Sequence, residues 1–224
     1  MAVFWSLYDQ TGSAWVQQAE RMDRRFLGYE WLPSQIQAIN PLLVLLFIPL
    51  FGLVLYPAVG RVVAFTPLRR ILAGFVLTVA AFAISATAQG LIDAESARLT
   101  AAGLGPEAAR WPSVAWQLAA YVVITAAEIL VSITCLEFSY TQAPPQMKSF
   151  VMSLYLLSVS LGNQFTAAVN WLIEIAGGTS TLTGASYYWF FTGCMTLATL
   201  LLVPVVLWTK PREYLQAEAD APAS

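Results

Sequence analysis

The sequence predicts an all-α integral membrane protein with six transmembrane helices. Of its 224 residues, 58% are hydrophobic and only 11% are charged, and the mean hydropathy is +0.65. Soluble domains carry about 25% charged residues, so this chain has too little charge to cover a surface in contact with water. Its apolar residues are grouped in runs of about 20, the length that a helix needs to cross a bilayer. We therefore expect the chain to lie in a lipid bilayer.

Five apolar runs are clear candidates for spans, and a sixth is weaker. The clear spans are 36–56, 70–92, 113–139, 148–176 and 187–208. The weaker candidate, 2–20, contains Asp9 and several amides, which a search by hydropathy alone would reject. At helical spacing, however, Trp5, Asp9 and Ser13 share one face, and an otherwise apolar helix with one polar face suits a position beside a pore. We predict one six-helix bundle over 1–209 and a polar, disordered cytoplasmic tail over 210–224.

Turn residues and charges suggest how the spans are arranged. Pro144-Pro145 and Gly177-Gly178 separate consecutive spans, and the polar segment 93–110 is expected to be an outer loop. With both termini in the cytoplasm, the cytoplasmic segments hold six Lys and Arg residues and the outer segments hold five. Since the positive-inside rule weights basic residues close to the helix ends, Arg69 and Arg70 favour this orientation.

Composition argues against several function classes. The chain has no histidine, which removes the Ser-His-Asp triad and most zinc and haem sites. A net charge of −2 without a basic run gives no sign of a nucleic-acid partner. Cys135 and Cys194 lie in apolar runs, where helix packing is a simpler role than a disulfide or a metal site. A protease that uses Asp9 and Glu128 as an acid pair would need a GxGD-like motif, and neither residue has one. We expect no enzyme activity, no metal and no cofactor.

Glu128 is the main candidate for a functional residue. It lies in the middle of an apolar span, on a stripe that recurs every three or four residues: Tyr121, Thr125, Glu128, Ser132, Cys135 and Ser139. An ionisable group at membrane depth costs about 2.5–3.5 kcal/mol, and such groups usually mark an ion or substrate path. The alternative is a buried Glu that pairs with a Lys or Arg of a neighbouring helix and holds the bundle together.

Four other residues leave more than one interpretation open. Asp9 has no Lys or Arg at the same depth in the chain, so its partner lies outside this sequence, or it is protonated, or 2–20 is not a span and Asp9 is solvated. Asn40, before Pro41, could cap a helix or bind a peptide-like backbone through its amide. Trp5 and Tyr155 lie near polar stripes, where packing or interface anchoring would explain them.

Four segments together resemble the proton-dependent oligopeptide transporter (POT/PTR) family of the major facilitator superfamily. They are FWSLYDQTGS at 4–13, INPLL at 39–43 with the later Pro49, EILVSITCLEFSYTQAPPQMKSFVMSLY at 128–155, and YLLSVSLGN at 155–163. These segments resemble the family's seventh, eighth, tenth and eleventh helices.

The resemblance implies a particular transporter architecture and transport mechanism. The family has twelve helices in two halves, and this chain would be the C-terminal half, with the N-terminal six-helix half as its missing partner. Di- and tripeptides would bind between the halves, driven by H⁺ as the coupling ion. Glu128 would bind the peptide amino terminus and take part in proton coupling, and Asp9 would pair with a basic residue of the N-terminal half. Asn40 would contact the peptide backbone.

The resemblance also assigns the remaining pocket residues. Trp5 would line the pocket, and Tyr155 occupies a pocket-lining position. Ser132 is also expected to bind the substrate, as a member of the polar stripe that carries Glu128. Tyr155 stands where the family commonly has Trp, and Cys135 where Gly is usual. The location would be a bacterial cytoplasmic (inner) membrane. Because six helices form only one wall of a cavity, a non-transporting truncated product or a membrane interaction module is the alternative function.

Overall fold

The computed structural model describes residues 1–177 and 181–209 of the protein. These residues are almost entirely helical. The helices are α1 (Ala2–Tyr8), α2 (Ala14–Glu20), α3 (Pro33–Gln37), α4 (Ile39–Leu50), α5 (Tyr56–Gly60), α6 (Pro67–Ala102), α7 (Ala115–Glu128), α8 (Thr134–Gln142), α9 (Lys148–Ile175) and α10 (Ala185–Trp208). The tail predicted over 210–224 lies outside the described residues.

The first predicted span is helical but not continuous. A 3₁₀ turn, Asp9–Gly12, separates α1 from α2, and Ser13 has non-helical angles of φ −132° and ψ −83°. A Cβ on Gly12 would lie 2.8 Å from Nε2 of the Gln37 side chain, so this turn passes close to α3. The turn places Asp9 at a break in the helix, and the 3.6-residue spacing assumed in the sequence analysis does not hold there.

Two helices contain a π-helical turn. The first, Phe51–Leu55, joins α4 to α5 and ends two residues before Pro57, which has no N–H to continue the ordinary hydrogen-bond pattern. The second, Ile129–Ile133, joins α7 to α8 and begins directly after Glu128. Phe51 packs against Ile129 and Leu130, so the two π turns are neighbours.

Helix α6 is the centre of the packing and is longer than expected. Its 36 residues correspond to about 54 Å, well beyond an apolar core of about 30 Å. The outer loop predicted over 93–110 is therefore wrong for its first part, which is helical up to Ala102. The sequence there is rich in alanine, and Glu95 pairs with Arg98 one turn away at 2.6 Å, both of which favour helix. Gly103, with φ +61°, ends it.

The hydrophobic core lies where α1, α2, α6, α7 and α10 meet. Helix α6 packs against both α7 and α10, while α1 packs mainly against α9. The largest fully buried side chains of this core include Phe4, Trp15, Phe82, Tyr121 and Phe191. This packing fixes the face of α7 that carries the polar stripe.

Within the described residues, four helical segments are long and apolar enough to cross a membrane: Pro33–Gly60, Pro67–Ala102, Ala115–Gln142 and Ala185–Trp208. Helix α9 has 28 residues but is more polar, and the 2–20 segment is interrupted. The structure therefore supports an all-helical integral membrane protein, and the six-span count goes beyond this finding.

A short β-hairpin, which the sequence analysis did not anticipate, follows α2. Strand Arg25–Phe26 pairs with Tyr29–Glu30 in an antiparallel register. Leu27 and Gly28 form its turn with φ of +55° and +81°, the left-handed pair that two-residue hairpins need. The hairpin lies at the end of the bundle that we call the outer end, beside the segment that follows α6, where Asp23 hydrogen-bonds to Pro112 and Val114.

Candidate functional site

A polar cluster joins α1, α4 and α7 in the middle of the bundle. It consists of Tyr8, Asn40, Thr125 and Glu128, and we call it the central cluster. Asn40 Nδ2 donates to Thr125 Oγ1 at 2.9 Å and to Glu128 Oε2 at 3.2 Å. The Tyr8 hydroxyl lies 3.4 Å from Asn40 Oδ1 and also interacts with the Glu128 carboxylate. Three helices thus meet through one amide and one carboxylate.

The helix geometry explains why these side chains converge. Thr125 and Glu128 lie three residues apart on α7 and so share one face. Thr125 Oγ1 donates to the Tyr121 carbonyl at 2.7 Å, which leaves its oxygen free to accept from Asn40. The Asn40 side chain makes no cap to its own helix. Of the two interpretations left open for Asn40, the amide that reaches across to α7 is the one seen.

Glu128 is not the carboxylate of a structural ion pair within this part of the chain. The salt bridges among residues 1–177 and 181–209 are Arg24–Glu30 and Glu95–Arg98, both far from it in the fold. The partners of Glu128 are neutral, and its side chain is only half-buried. A carboxylate offers about four acceptor positions, so Glu128 keeps the capacity to accept from a further donor.

An aromatic edge adjoins the central cluster. The Trp5 ring stands nearly perpendicular to the Tyr155 ring, at 87° and 6.2 Å between centroids, and contacts Tyr8 at 5.7 Å. The Tyr155 hydroxyl lies 3.3 Å from Ser132 Oγ. The buried Trp5 Nε1 has no hydrogen-bond partner among the described residues. The structure thus brings together Trp5, Asn40, Glu128, Ser132 and Tyr155.

Asp9 lies apart from this group. It lines a small cavity of about 200 Å³ with Ser6, Gln10, Ser13 and residues of α9. In the described part of the chain Asp9 forms neither a salt bridge nor a hydrogen bond to Glu128. The two acids that the sequence singled out are therefore not in direct contact.

Sequence reasoning missed Tyr8 and the second π turn. Tyr8 comes three residues after Trp5, so helical spacing would have placed both on one face. Neither proline nor glycine marks the π turn at Ile129–Ile133. The extra residue in this turn changes where Ser132 points relative to Glu128, and such turns occur frequently at functional sites.

The comparisons with known proteins agree on one family. The sequence model of the POT family (PTR2) matches residues 1–189. The chain is 30% identical over 193 residues to the peptide transporter PTR2 of Saccharomyces cerevisiae, which covers 86% of this chain and 31% of that protein. It is 46% identical over 84 residues to peptide transporter family 1 of Drosophila melanogaster, which covers 38% of this chain and 11% of that protein.

Solved structures give the same answer for the fold. An auto-inhibited POT family peptide transporter superposes with a TM-score of 0.79 at 32% identity, covering 96% of this chain and 40% of the other. The POT family transporter PepTSo gives a TM-score of 0.76 at 34% identity, covering 92% and 39%. The chain spans about two fifths or less of these relatives' length. Since the family model matches well over half of its residues, this chain belongs to the POT family.

Proposed function

We propose that this chain is the C-terminal six-helix half of a proton-coupled transporter of di- and tripeptides. The observation that carries the proposal is the convergence of Glu128 and Asn40 from two helices in the middle of the bundle. Family membership supports peptide transport, because the relatives reported above are peptide transporters. Both termini would be cytoplasmic, in a bacterial inner membrane.

The chemistry of the central cluster suits the amino end of a peptide. An ammonium group donates up to three hydrogen bonds, and the half-buried Glu128 carboxylate can accept one or more of them as charge-assisted bonds. Such a bond is stronger where water is largely excluded. Asn40 lies beside this position with one donor and one acceptor group, which matches a peptide bond. Trp5 and Tyr155 would form the adjoining wall.

Asp9 would have a different role. Exposed polar side chains at membrane depth usually face a cavity or a protein partner rather than lipid. Asp9 lacks a basic partner in the described residues, so we expect that partner in the missing N-terminal half. Transport would follow from rocking of the two halves about a fixed central site. H⁺ would be the coupling ion, held by Asp9 and Glu128 in turn, and no further cofactor is proposed.

The test is uptake of a labelled dipeptide into membrane vesicles that contain the complete transporter, under an inward pH gradient. Glu128→Gln keeps the shape of the side chain and removes its charge, so we expect proton-driven uptake to be lost. Glu107→Gln, in an exposed 3₁₀ turn, is the matched control and should behave as the wild type. Undiminished uptake by Glu128→Gln would overturn the proposal.

A further inference from the structure

Two polar cavities meet beside Asp9 and extend to the outer end of the bundle. The inner cavity, of about 200 Å³, contains Asp9. The outer cavity is larger, about 1020 Å³, and lies between α2, α6, α9 and the start of α10. Ser13 and Asn170 line both, so the two spaces adjoin at these side chains.

Each cavity is lined by a buried glutamine whose side-chain oxygen accepts no hydrogen bond from the described residues. Gln10, on the inner cavity, is 1% exposed, and Gln18, on the outer one, is 3% exposed. Their Nε2 groups donate to Ser6 O, Ser85 O and Gln89 Oε1. Their Oε1 atoms have no hydrogen-bond partner among the described residues. These two oxygens are fully enclosed, so the polar character of the cavities rests on their lining side chains, among them Asp9, Ser13 and Asn170.

The wall of the outer cavity is held by a line of hydrogen bonds that ends at a carboxylate. Gln18 Nε2 donates to Gln89 Oε1 at 3.0 Å, and Gln89 Nε2 donates to Asp93 Oδ1 at 2.9 Å. Asp93 Oδ2 accepts the backbone N–H of Ala185 at 2.7 Å, at the start of α10. Helices α2, α6 and α10 are thus fixed around the space, and Asp93 keeps a place on its rim.

The charged groups form two sets. The outer cavity has Glu20, Arg21, Asp93 and Glu174, with the hydroxyls of Tyr187 and Tyr188. The inner cavity has Asp9, which faces Asn163, Thr166 and Asn170 of α9. Chains of carboxylates and water are the usual proton routes in membrane transporters.

The residues at the junction of the two cavities also suit a water-filled space. Asn163 and Asn170 are seven residues apart on α9, so they share one face, and both are exposed in this chain. Asn170 also hydrogen-bonds to the Tyr187 hydroxyl. An exposed amide pair on a helix of a membrane bundle should face a watery space or a partner rather than lipid.

We propose that the two cavities form a hydrated path along which protons reach Asp9 from the outer end of the bundle, with Ser13 and Asn170 at the junction between them. A proton leaves a hydronium ion at the outer carboxylates, passes between water molecules at Asn170 and Ser13, and binds a carboxylate oxygen of Asp9. This inference rests on the proposed proton coupling and adds the route by which the proton arrives.

The test separates proton movement from peptide binding. In proteoliposomes that contain the complete transporter, we would measure pH-driven uptake of a dipeptide and also counterflow exchange, which needs no net proton transfer. Asn170→Leu and Ser13→Val place apolar groups at the junction. We expect each to lower pH-driven uptake by roughly tenfold while counterflow stays at the wild-type rate. Asn170→Ser, which remains small and polar, should restore most of the pH-driven uptake.

Matched controls come from the same helix. Gln164→Leu and Ser160→Val replace exposed polar residues of α9 that line neither cavity, and both should leave the two rates unchanged. The path would be overturned if Asn170→Leu and Ser13→Val showed normal pH-driven uptake. It would also be overturned if the controls lost as much pH-driven uptake as these two variants, or if the two variants lost counterflow in parallel with pH-driven uptake. A wild-type protein that exchanges dipeptide but shows no pH-driven uptake would instead overturn the proposed proton coupling.

Discussion

Asn40 and Glu128, 88 residues apart in the sequence, are joined by a hydrogen bond of 3.2 Å from Nδ2 to Oε2. The same Nδ2 group donates to Thr125 Oγ1 at 2.9 Å. Asn40 therefore orients both Thr125 and Glu128 on the polar stripe of α7. The Glu128 carboxylate interacts with neutral groups, the Asn40 amide and the Tyr8 hydroxyl, so it is positioned but has no counter-charge among the described residues. This arrangement is what a site for a cationic group requires.

Replacing Asn40 should weaken substrate binding. Asn40→Ala removes the donor to Glu128 and Thr125, and a hydrogen bond to a charged group is worth about 1.5–3 kcal/mol. We expect the KM for a dipeptide to rise by about 10- to 100-fold, measured by uptake into vesicles with the complete transporter. Gln146→Ala, at an exposed amide between α8 and α9, should leave KM unchanged. An unaltered KM in Asn40→Ala would contradict a role for this amide in binding.

The Ser132–Tyr155 contact can be tested by a double-mutant cycle. Their oxygens lie 3.3 Å apart, so Ser132→Ala and Tyr155→Phe each remove the same hydrogen bond. We expect coupling between the two changes of about 0.5–1.5 kcal/mol in dipeptide affinity, measured by competition uptake. Additive effects would show that the two hydroxyls act independently and that Ser132 does not orient Tyr155.

Gly162 allows α1 to approach α9 closely. A Cβ at this position would lie 2.8 Å from Ser6 N and 3.0 Å from Trp5 Cβ. Gly162→Val should therefore displace α1, lower the Tm of the purified protein in detergent, and reduce stability by about 1–3 kcal/mol. Gly193→Val provides the control, because a Cβ on Gly193 meets nothing within 4 Å. Equal Tm values for the two variants would show that the close contact between α1 and α9 at Gly162 does not contribute to stability.

Asp9 should matter for proton coupling but not for peptide exchange. Asp9→Asn keeps the size of the side chain and cannot exchange a proton, so we expect pH-driven uptake to fall to background and counterflow to persist. Asp23→Asn, at an exposed residue after α2, should retain both activities. Loss of counterflow in Asp9→Asn at normal protein levels would place Asp9 in peptide binding instead.

The sequence was enough to predict a helical membrane protein and to select residues that lie together in the structure. It was a poorer guide to where the helices break, bend and end. Hydropathy and residue spacing were enough to single out Glu128, because an acid in an apolar run is conspicuous. The resemblance to the family added Asn40, Trp5 and Tyr155, which spacing alone left with several interpretations. Tyr8 was missed, although it lies in the FWSLYDQTGS segment, because the polar face of 2–20 was defined by Trp5, Asp9 and Ser13.

The departures from regular helices were beyond sequence reasoning. A single glycine, Gly12, was too weak a signal to predict the break at Asp9–Gly12, and the π turn after Glu128 has no proline or glycine to mark it. The continuation of α6 to Ala102 was hidden because Asp93, Glu95 and Arg98 look like a loop in a hydropathy profile. In the fold, Asp93 instead binds the start of α10, and Glu95 and Arg98 pair with each other.

The most direct test of Glu128 as the ammonium site compares inhibition of labelled dipeptide counterflow by a free dipeptide and by its N-acetylated form. Counterflow needs no net proton transfer, so it can be followed in Glu128→Gln, for which we expect proton-driven uptake to be lost. Acetylation removes the positive charge and also adds an acetyl group, and the comparison with Glu128→Gln separates the loss of charge from the added bulk. In the wild-type complete transporter we expect the acetylated form to inhibit about 10- to 100-fold more weakly, and we expect that difference to disappear in Glu128→Gln. Equal inhibition by both peptides in the wild type, or an unchanged difference in the variant, would contradict the proposal that Glu128 binds the peptide amino terminus.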